Sequence, residues 1–400
     1  MKVFNFFNKL IYFIFNRDFI FNNLNLFLFK IKRKSNIYFL VNEEQKWSTD
    51  QLYLELKKHF DVKIVLLGNP YTGKIENNVY DFFSKKGDVI IYPKLNFFQK
   101  LKLLFKGDII FFQQPWGMEN KIRYMHFFCL TIYIPYSAIT VKDSIDYNVE
   151  NFHRYLWLYV AQNEHVFNFF KEFQLKRGIN CKVLGYPKFD DLYREYLNDE
   201  NIFHDFGKKK IIYAPHHSLE NSILGLGTFD KYFEIVVNIV GLKRSSFVYK
   251  PHPRLEYTLT CEELFFSIED YEEYLKKWNN GINSKIMNQG DYGSLFSESD
   301  FIITDCSSFL IEYFFTGKPI IWLKSDRQKI DFNSFVEELK ESFYIVNSCD
   351  DILKYIEMLE NDEDIMKETR EILISKYKKQ ILGSSNNIVD YLLNLKGKKC

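Results

Sequence analysis

The 400-residue sequence holds six cysteines and none of the patterns that give cysteine a structural role. Cys129, Cys181, Cys261, Cys306, Cys349 and Cys400 are scattered, with no Cys-x-x-Cys pair and no metal-ligand spacing. That excludes a disulfide framework and a zinc site, and it predicts reduced residues in a cytosolic chain. His126, His153 and His165 have no metal-ligand spacing either. An excess of one charge is also missing: 53 Lys and Arg against 52 Asp and Glu leave a formal charge of +1. A nucleic-acid binder held by a long-range field is thereby excluded, while a local basic patch is not. The chain lacks a membrane-spanning run. Residues 1–29 are Phe-rich, but Lys9, Arg17 and Asp18 interrupt them, and 19–29 contains Asn22, Asn23 and Asn25, too short and too polar to span. No small-residue cleavage site follows. A Walker loop is absent, because Ile75 follows Lys74 in Gly68-Asn69-Pro70-Tyr71-Thr72-Gly73-Lys74 where Ser or Thr is needed. No short-period repeat or low-complexity tail is visible, and the lysines at 208–210 and 376–379 read as solvated faces.

What is present is enough apolar residue, 46% of the chain, for two domains with separate cores. The 41 Phe and 27 Tyr, with much Lys, Asn and Ile, suggest an AT-rich bacterial genome, so a single aromatic residue carries little functional information. Phe4, Phe7, Ile11, Ile14 and Phe15 recur at helical spacing ahead of Lys30, Lys32, Arg33 and Lys34. Two readings follow, a helix packed on the body of the protein or an interfacial helix on anionic lipid. From Asn36 apolar runs alternate with helical stretches. Strands are predicted at 37–41, 62–67, 89–92, 109–112, 158–161 and 183–184, and, after a polar break at 193–210, at 211–214, 247–249, 284–287, 301–304, 320–323 and 343–346. Helices over 350–359, 363–379 and 384–395 follow the last strand. The rhythm predicts an α/β fold of two doubly wound, Rossmann-like domains facing a cleft. The expected bounds are a Phe-rich, membrane-proximal segment at 1–34, an acceptor-side domain at 35–192, a linker at 193–209, and a nucleotide-binding domain at 210–400.

Within the second half, Phe301 to Thr304 ends in Asp305, Cys306, Ser307 and Ser308, and then a helix is predicted, N-capped by Ser307 or Ser308 and stopped by Gly317 and Pro319. Its backbone N–H groups and hydroxyls suit a phosphate at the carboxyl end of a parallel strand, and Glu312 one turn on suits a ribose hydroxyl. Alone, this is also what an ordinary capped helix looks like. Two more loops stand after strands: Tyr213-Ala214-Pro215-His216-His217-Ser218 and Tyr249-Lys250-Pro251-His252-Pro253-Arg254. Prolines on both sides of His252 stiffen its turn. Lys250, His252, Arg254, Ser307 and Ser308 together make a pyrophosphate cradle without glycine-rich sequence.

These residues resemble those of the CDP-glycerol glycerophosphotransferases, the teichoic acid and capsule polymerases. Gly185-Tyr186-Pro187-Lys188-Phe189-Asp190-Asp191 is similar to their Gly-Tyr-Pro-basic-x-Asp signature. Tyr213-Ala214-Pro215 matches the start of their Tyr-Ala-Pro-Thr-Trp loop, His252-Pro253 their His-Pro pair, and Ser299 through Pro319 their Ser-Asp-x-x-Ile-Thr-Asp-x-Ser-Ser element. The resemblance spans about residues 100 to 325 and is strongest after Gly185. It implies a GT-B fold, no metal or other cofactor, a cytidine diphosphate donor, phosphate-binding roles for His252, Ser307 and Ser308, and matching acidic positions at Asp305 and Glu312. The family's Trp-His-Gly, whose His is the base for the acceptor hydroxyl, is replaced by Gln113-Gln114-Pro115-Trp116-Gly117-Met118-Glu119. Glu119, His216 and His217 are the candidate substitutes. The expected activity is transfer of glycerol phosphate from CDP-glycerol to a capsule or cell-surface glycan, free or lipid-linked, in the cytoplasm or peripherally on the inner face of the membrane. The alternatives are a nucleotide-sugar glycosyltransferase of capsule or lipooligosaccharide synthesis, CMP-sialic acid included among its donors, and an inactive α/β scaffold of the same pathway.

Overall fold

The computed structural model describes residues 20–69, 73–106, 108–142, 150–174, 176–195, 202–279, 281–288 and 292–397. The expected helical stripe Phe4, Phe7, Ile11, Ile14 and Phe15 lies outside them, as does 196–201 of the expected linker. Two compact units divide the chain, the first made of 1–137, 144–191 and 380–400, the second of 138–143 and 192–379.

The first unit is built on seven parallel strands: β1 (Asn36–Val41), β2 (Asp61–Leu66), β3 (Val89–Ile91), β4 (Ile109–Phe112), β5 (Leu130–Tyr133), β6 (Leu158–Ala161) and β7 (Cys181–Val183). Their order is β3-β2-β1-β4-β5-β6-β7. β1 and β4 are buried almost throughout, as parallel strands covered on both faces must be, and Phe39 pairs with Phe111 with their rings stacked at 4.7 Å. β5 has no counterpart among the predicted strands, because its apolar run follows the aromatic pair Phe127-Phe128 without an intervening turn residue. The helix at 20–31 docks one face through Phe29 and Asn25, whose amide donates to the His126 carbonyl at 3.0 Å, and leaves Ile20, Leu24, Phe27, Leu28 and Ile31 exposed. Among the described residues no helix is long and apolar enough to cross a membrane.

The second unit carries six parallel strands, β8 (Lys210–Ala214), β9 (Ser246–Tyr249), β10 (Ser284–Ile286), β11 (Phe301–Thr304), β12 (Ile320–Leu323) and β13 (Tyr344–Val346), each within a residue or two of its predicted place. The order β10-β9-β8-β11-β12-β13 reverses direction between β8 and β11. The carboxyl ends of those two strands are therefore the switch point where open α/β sheets bind ligands.

The units differ from the continuous bounds expected from the sequence. Residues 138–143 belong to the second unit because they are tied to a loop after β12. Val141 bridges Phe332, and Asn333 donates twice: its backbone N–H to the Thr140 carbonyl at 2.8 Å and its side-chain amide to the Ile139 carbonyl at 2.6 Å. Residues 380–400 return to the first unit because Ile388, Val389, Leu392 and Leu393 of the Ser384–Leu395 helix are buried in the same cluster as Phe39, Leu52 and Leu56.

Candidate functional site

Three loops of the second unit meet at the switch point, held by backbone hydrogen bonds. The His252 N–H donates to the Pro215 carbonyl at 3.0 Å, joining the loop after β9 to the loop after β8. The loop after β11 is joined through Asp305. Its Oδ1 accepts from the His216 N–H at 2.5 Å, and its Oδ2 accepts from the N–H and hydroxyl of Thr228 at 2.6 and 2.8 Å. With 2% of its surface exposed, Asp305 is a buried hub, not a carboxylate facing a ligand. Burial pushes its carboxyl up to about 7, against those three donors, which favour the ionised form.

The junction stacks three imidazoles. Ring centroids of His216 and His217 are 4.4 Å apart, those of His217 and His252 4.1 Å with the rings nearly parallel, and those of His216 and His252 5.0 Å. One ring nitrogen from each lies within 4.8 Å of the others, a spacing close to that of a metal triad, and this is the group of that kind among the described residues. All three rings are held neutral. Burial, then the two neighbouring imidazoles, sets His216 well below the ordinary histidine value. Burial and the Arg254 guanidinium, opposed by Glu262, bring His217 down to about 4. Burial, His217, Lys250 and Arg254 bring His252 down to about 3. Lys250 is itself buried, and Arg254 is exposed and paired with Glu262.

The helix after β11 runs Ser307–Glu312 with Cys306 at the N-cap and no side-chain capping bond, one residue before the first of the two predicted serine caps. Both hydroxyls are thereby left to other partners. The Thr140 hydroxyl donates to Ser307 Oγ at 3.1 Å, and Ser308 Oγ lies 3.5 Å from Cys306 Sγ. Burial pushes the Cys306 thiol up to about 11, which removes it as a nucleophile. Gly317, at φ +79°, ends this stretch as predicted. Glu312 is wholly buried and accepts from the Tyr292 hydroxyl, so its carboxylate is engaged inside the unit.

The structure thus brings together His216, His217, His252, Lys250, Arg254 and Asp305, with Ser307 and Ser308 opening the helix two residues beyond Asp305. Glu119 belongs to the first unit, where it is the half-buried first residue of the Glu119–Met125 helix. Sequence reasoning missed Thr228 and Thr140, and it gave Ser218 no role beyond its place in the loop after β8. A Thr-x-Asp pattern ahead of an apolar helix marks Thr228 as a cap, and only the fold shows its hydroxyl turned to Asp305 instead. Thr140 has no local signal, since it reaches Ser307 from 167 residues away.

Solved structures with the same two-domain α/β architecture include the wall teichoic acid polymerase TagF in a variant soaked with CDPG, 14% identical, with a TM-score of 0.61 over 99% of this chain and 98% of that one. A UDP-N-acetylglucosamine 2-epimerase matches with a TM-score of 0.60 at 16% identity over 92% and 97% of the two chains. The UDP-GlcNAc 2-epimerase of Neisseria meningitidis bound to UDP-GlcNAc matches with 0.58 at 15% identity over 90% and 100%. These likenesses establish a GT-B fold. No curated protein matches the sequence. The family model described as CDP-Glycerol:Poly(glycerophosphate) glycerophosphotransferase matches residues 135–394, a stretch that holds all three loops of the switch point and well over half of the chain. The chain therefore belongs to this glycerophosphotransferase family and is a transferase of that kind.

Proposed function

We propose that the protein transfers glycerol phosphate from CDP-glycerol to a hydroxyl of a bacterial capsule or other cell-surface glycan, with the donor pyrophosphate held by the second unit and no metal taking part. The observation that carries this reading is the convergence of the loops after β8, β9 and β11 at the switch point, where Lys250 and Arg254 supply positive charge and no carboxylate but the Arg254-bound Glu262 and the buried Asp305 appears among the described contacts. In the transfer, the acceptor oxygen bonds to the phosphorus of the glycerol phosphate, the P–O bond to the CMP phosphate breaks, and the proton of the acceptor hydroxyl passes to water. The electron pair leaves with CMP, and cationic and N–H groups offset the growing charge. Ser307 and Ser308 supply hydroxyl donors beside that charge.

Thermal denaturation of the purified chain with CDP-glycerol, CDP, CMP, UDP, GDP and CMP-sialic acid tests the reading. A ligand at a hundred times its dissociation constant adds about 2.7 kcal/mol. Stabilisation by cytidine nucleotides that disappears in Ser307→Ala, with a phosphodiester seen by phosphorus NMR in a glycan acceptor, supports it. A response confined to UDP, GDP or CMP-sialic acid, or none at all, refutes it.

We further propose that the chain works at the surface of an anionic membrane. Ile20, Leu24, Phe27, Leu28 and Ile31 form an exposed stripe at helical spacing, and exposed Lys30, Arg33 and Lys34 follow it. Cosedimentation with phosphatidylglycerol vesicles that survives Leu24→Ser/Phe27→Ser undiminished would remove this part.

A further inference from the structure

We infer that His216 and His217 join His252 in a three-imidazole clamp for a nucleotide phosphate, one that donates N–H bonds to the singly charged phosphates of a pyrophosphate diester and takes up a proton against a phosphomonoester, whose one phosphate carries two charges, such as the leaving CMP. The inference rests on the reading that the second unit binds the donor nucleotide. His216 and His217 stand where the family loop they resemble reads Thr-Trp, so this clamp is particular to the chain's own sequence.

The tautomers decide what the rings do. His252 Nδ1 accepts the Arg254 backbone N–H at 3.1 Å. His216 Nδ1 accepts the Ser218 backbone N–H at 3.2 Å and lies 2.8 Å from Ser218 Oγ, which itself accepts from the Leu226 N–H. A ring nitrogen that accepts carries no proton, so in each neutral ring the proton sits on Nε2, which then donates. A metal ligand binding through Nε2 needs the reverse arrangement, a bare Nε2 with a proton on Nδ1, and one binding through Nδ1 needs that nitrogen clear of the backbone N–H groups that occupy it in His216 and His252. A general base needs a bare nitrogen facing the substrate hydroxyl. His216 and His252 offer neither. His217 is fixed by no such bond: its Nδ1 is buried without a hydrogen-bond partner, so this ring is free to turn a proton to the ligand and to gain a second one.

The surrounding charges agree. Lys250 and Arg254 on the loop after β9 act on these rings and repel a cation. Of the acidic groups, Glu262 is bound to Arg254, and Asp305 has both oxygens occupied beneath His216. With the site empty, burial and those cations keep the imidazoles neutral; a dianion reverses the local field and returns one of them to its charged form.

Isothermal titration of CMP and CDP-glycerol into the full chain from pH 7 to 8.5 tests this, since the phosphate of CMP has already lost its second proton above about 6. The CMP dissociation constant is expected to rise by up to roughly thirtyfold over that range, the limit for one proton fully coupled to binding, while that of CDP-glycerol stays level. His217→Gln, which keeps an N–H donor and cannot gain a proton, is expected to flatten the CMP profile. A flat CMP profile in the parent, a slope retained in His217→Gln, or stoichiometric zinc that titrates onto the cluster and tightens CMP overturns the inference while leaving the donor reading intact. Failure of both nucleotides to bind overturns the two together.

Discussion

The buried imidazoles make the second unit sensitive to acid, and His252 is where the effect is cleanest to isolate. Its folded value of about 3 lies below the 6.5 of an unperturbed histidine. A group depressed on folding contributes stability that is present above its unfolded value and is lost as pH falls toward its folded one. At pH 4.5 the unfolded imidazole is two pH units below 6.5, and its protonation stabilises the unfolded chain by about 2.7 kcal/mol, two units at ~1.36 kcal/mol each, while the folded ring stays neutral. His252→Asn removes the titration and sets an amide oxygen where Nδ1 now accepts from Arg254, so the turn is kept. His217 has the same sign, and Asp305, raised to about 7, has the opposite one because its folded carboxyl takes up a proton first; both are common to parent and variant and cancel in the difference. Urea denaturation followed by circular dichroism at pH 7.5 and 4.5 should show the parent losing about 2.7 kcal/mol more than His252→Asn between the two. Equal losses would mean that the ring is already charged in the folded state, and the account of the cluster would fall.

Two further substitutions test how the chain is laid out. Gly185→Ala places a methyl at φ +95°, 2.1 Å from Ser384 Oγ and 2.9 Å from the Gln380 carbonyl, and should cost the first unit about 2–4 kcal/mol in denaturation. A loss below about 0.5 kcal/mol would show that the C-terminal helix does not press on this turn. Asn333→Ala removes an N-cap that accepts from Phe335 and Val336 at 3.0 and 3.1 Å and also the donor to the Ile139 carbonyl. A loss of about 2–3 kcal/mol and faster protease cleavage within 138–143 are expected, and unchanged cleavage would refute the tie.

The strands of the second unit were legible because each is a short apolar run closed by polar or proline-containing turns, and strand ends place loops. Hence the sequence alone assigns the three motif loops to one face. β5 was not legible: Leu130 to Tyr133 follows aromatic residues with no turn signal, and periodicity cannot separate such a run from what precedes it. Nor does a sequence show what fills a carboxylate. Asp305 and Glu312 read as ligand-facing acids, yet backbone and hydroxyl donors from Thr228 and His216, and the Tyr292 hydroxyl, occupy them. The Ser384–Leu395 helix was visible as a helix, since its apolar residues recur at helical spacing, but that spacing does not say which sheet they cover. The same limit hid Thr140, whose partner Ser307 is set by the fold and not by its neighbours in sequence.

The return of the chain after residue 379 has a consequence for synthesis. Leu52, Leu56 and Phe39 share their buried cluster with Ile388, Val389, Leu392 and Leu393, residues that leave the ribosome about 200 positions after Asp191 has emerged. At the usual 5–20 residues per second, the first sheet waits roughly 10–40 s for the helix that covers it. During that interval its apolar face is open while the second unit is already being made, so a chaperone or an early stop codon acts on the first unit even though the missing residues are translated after the whole of the second.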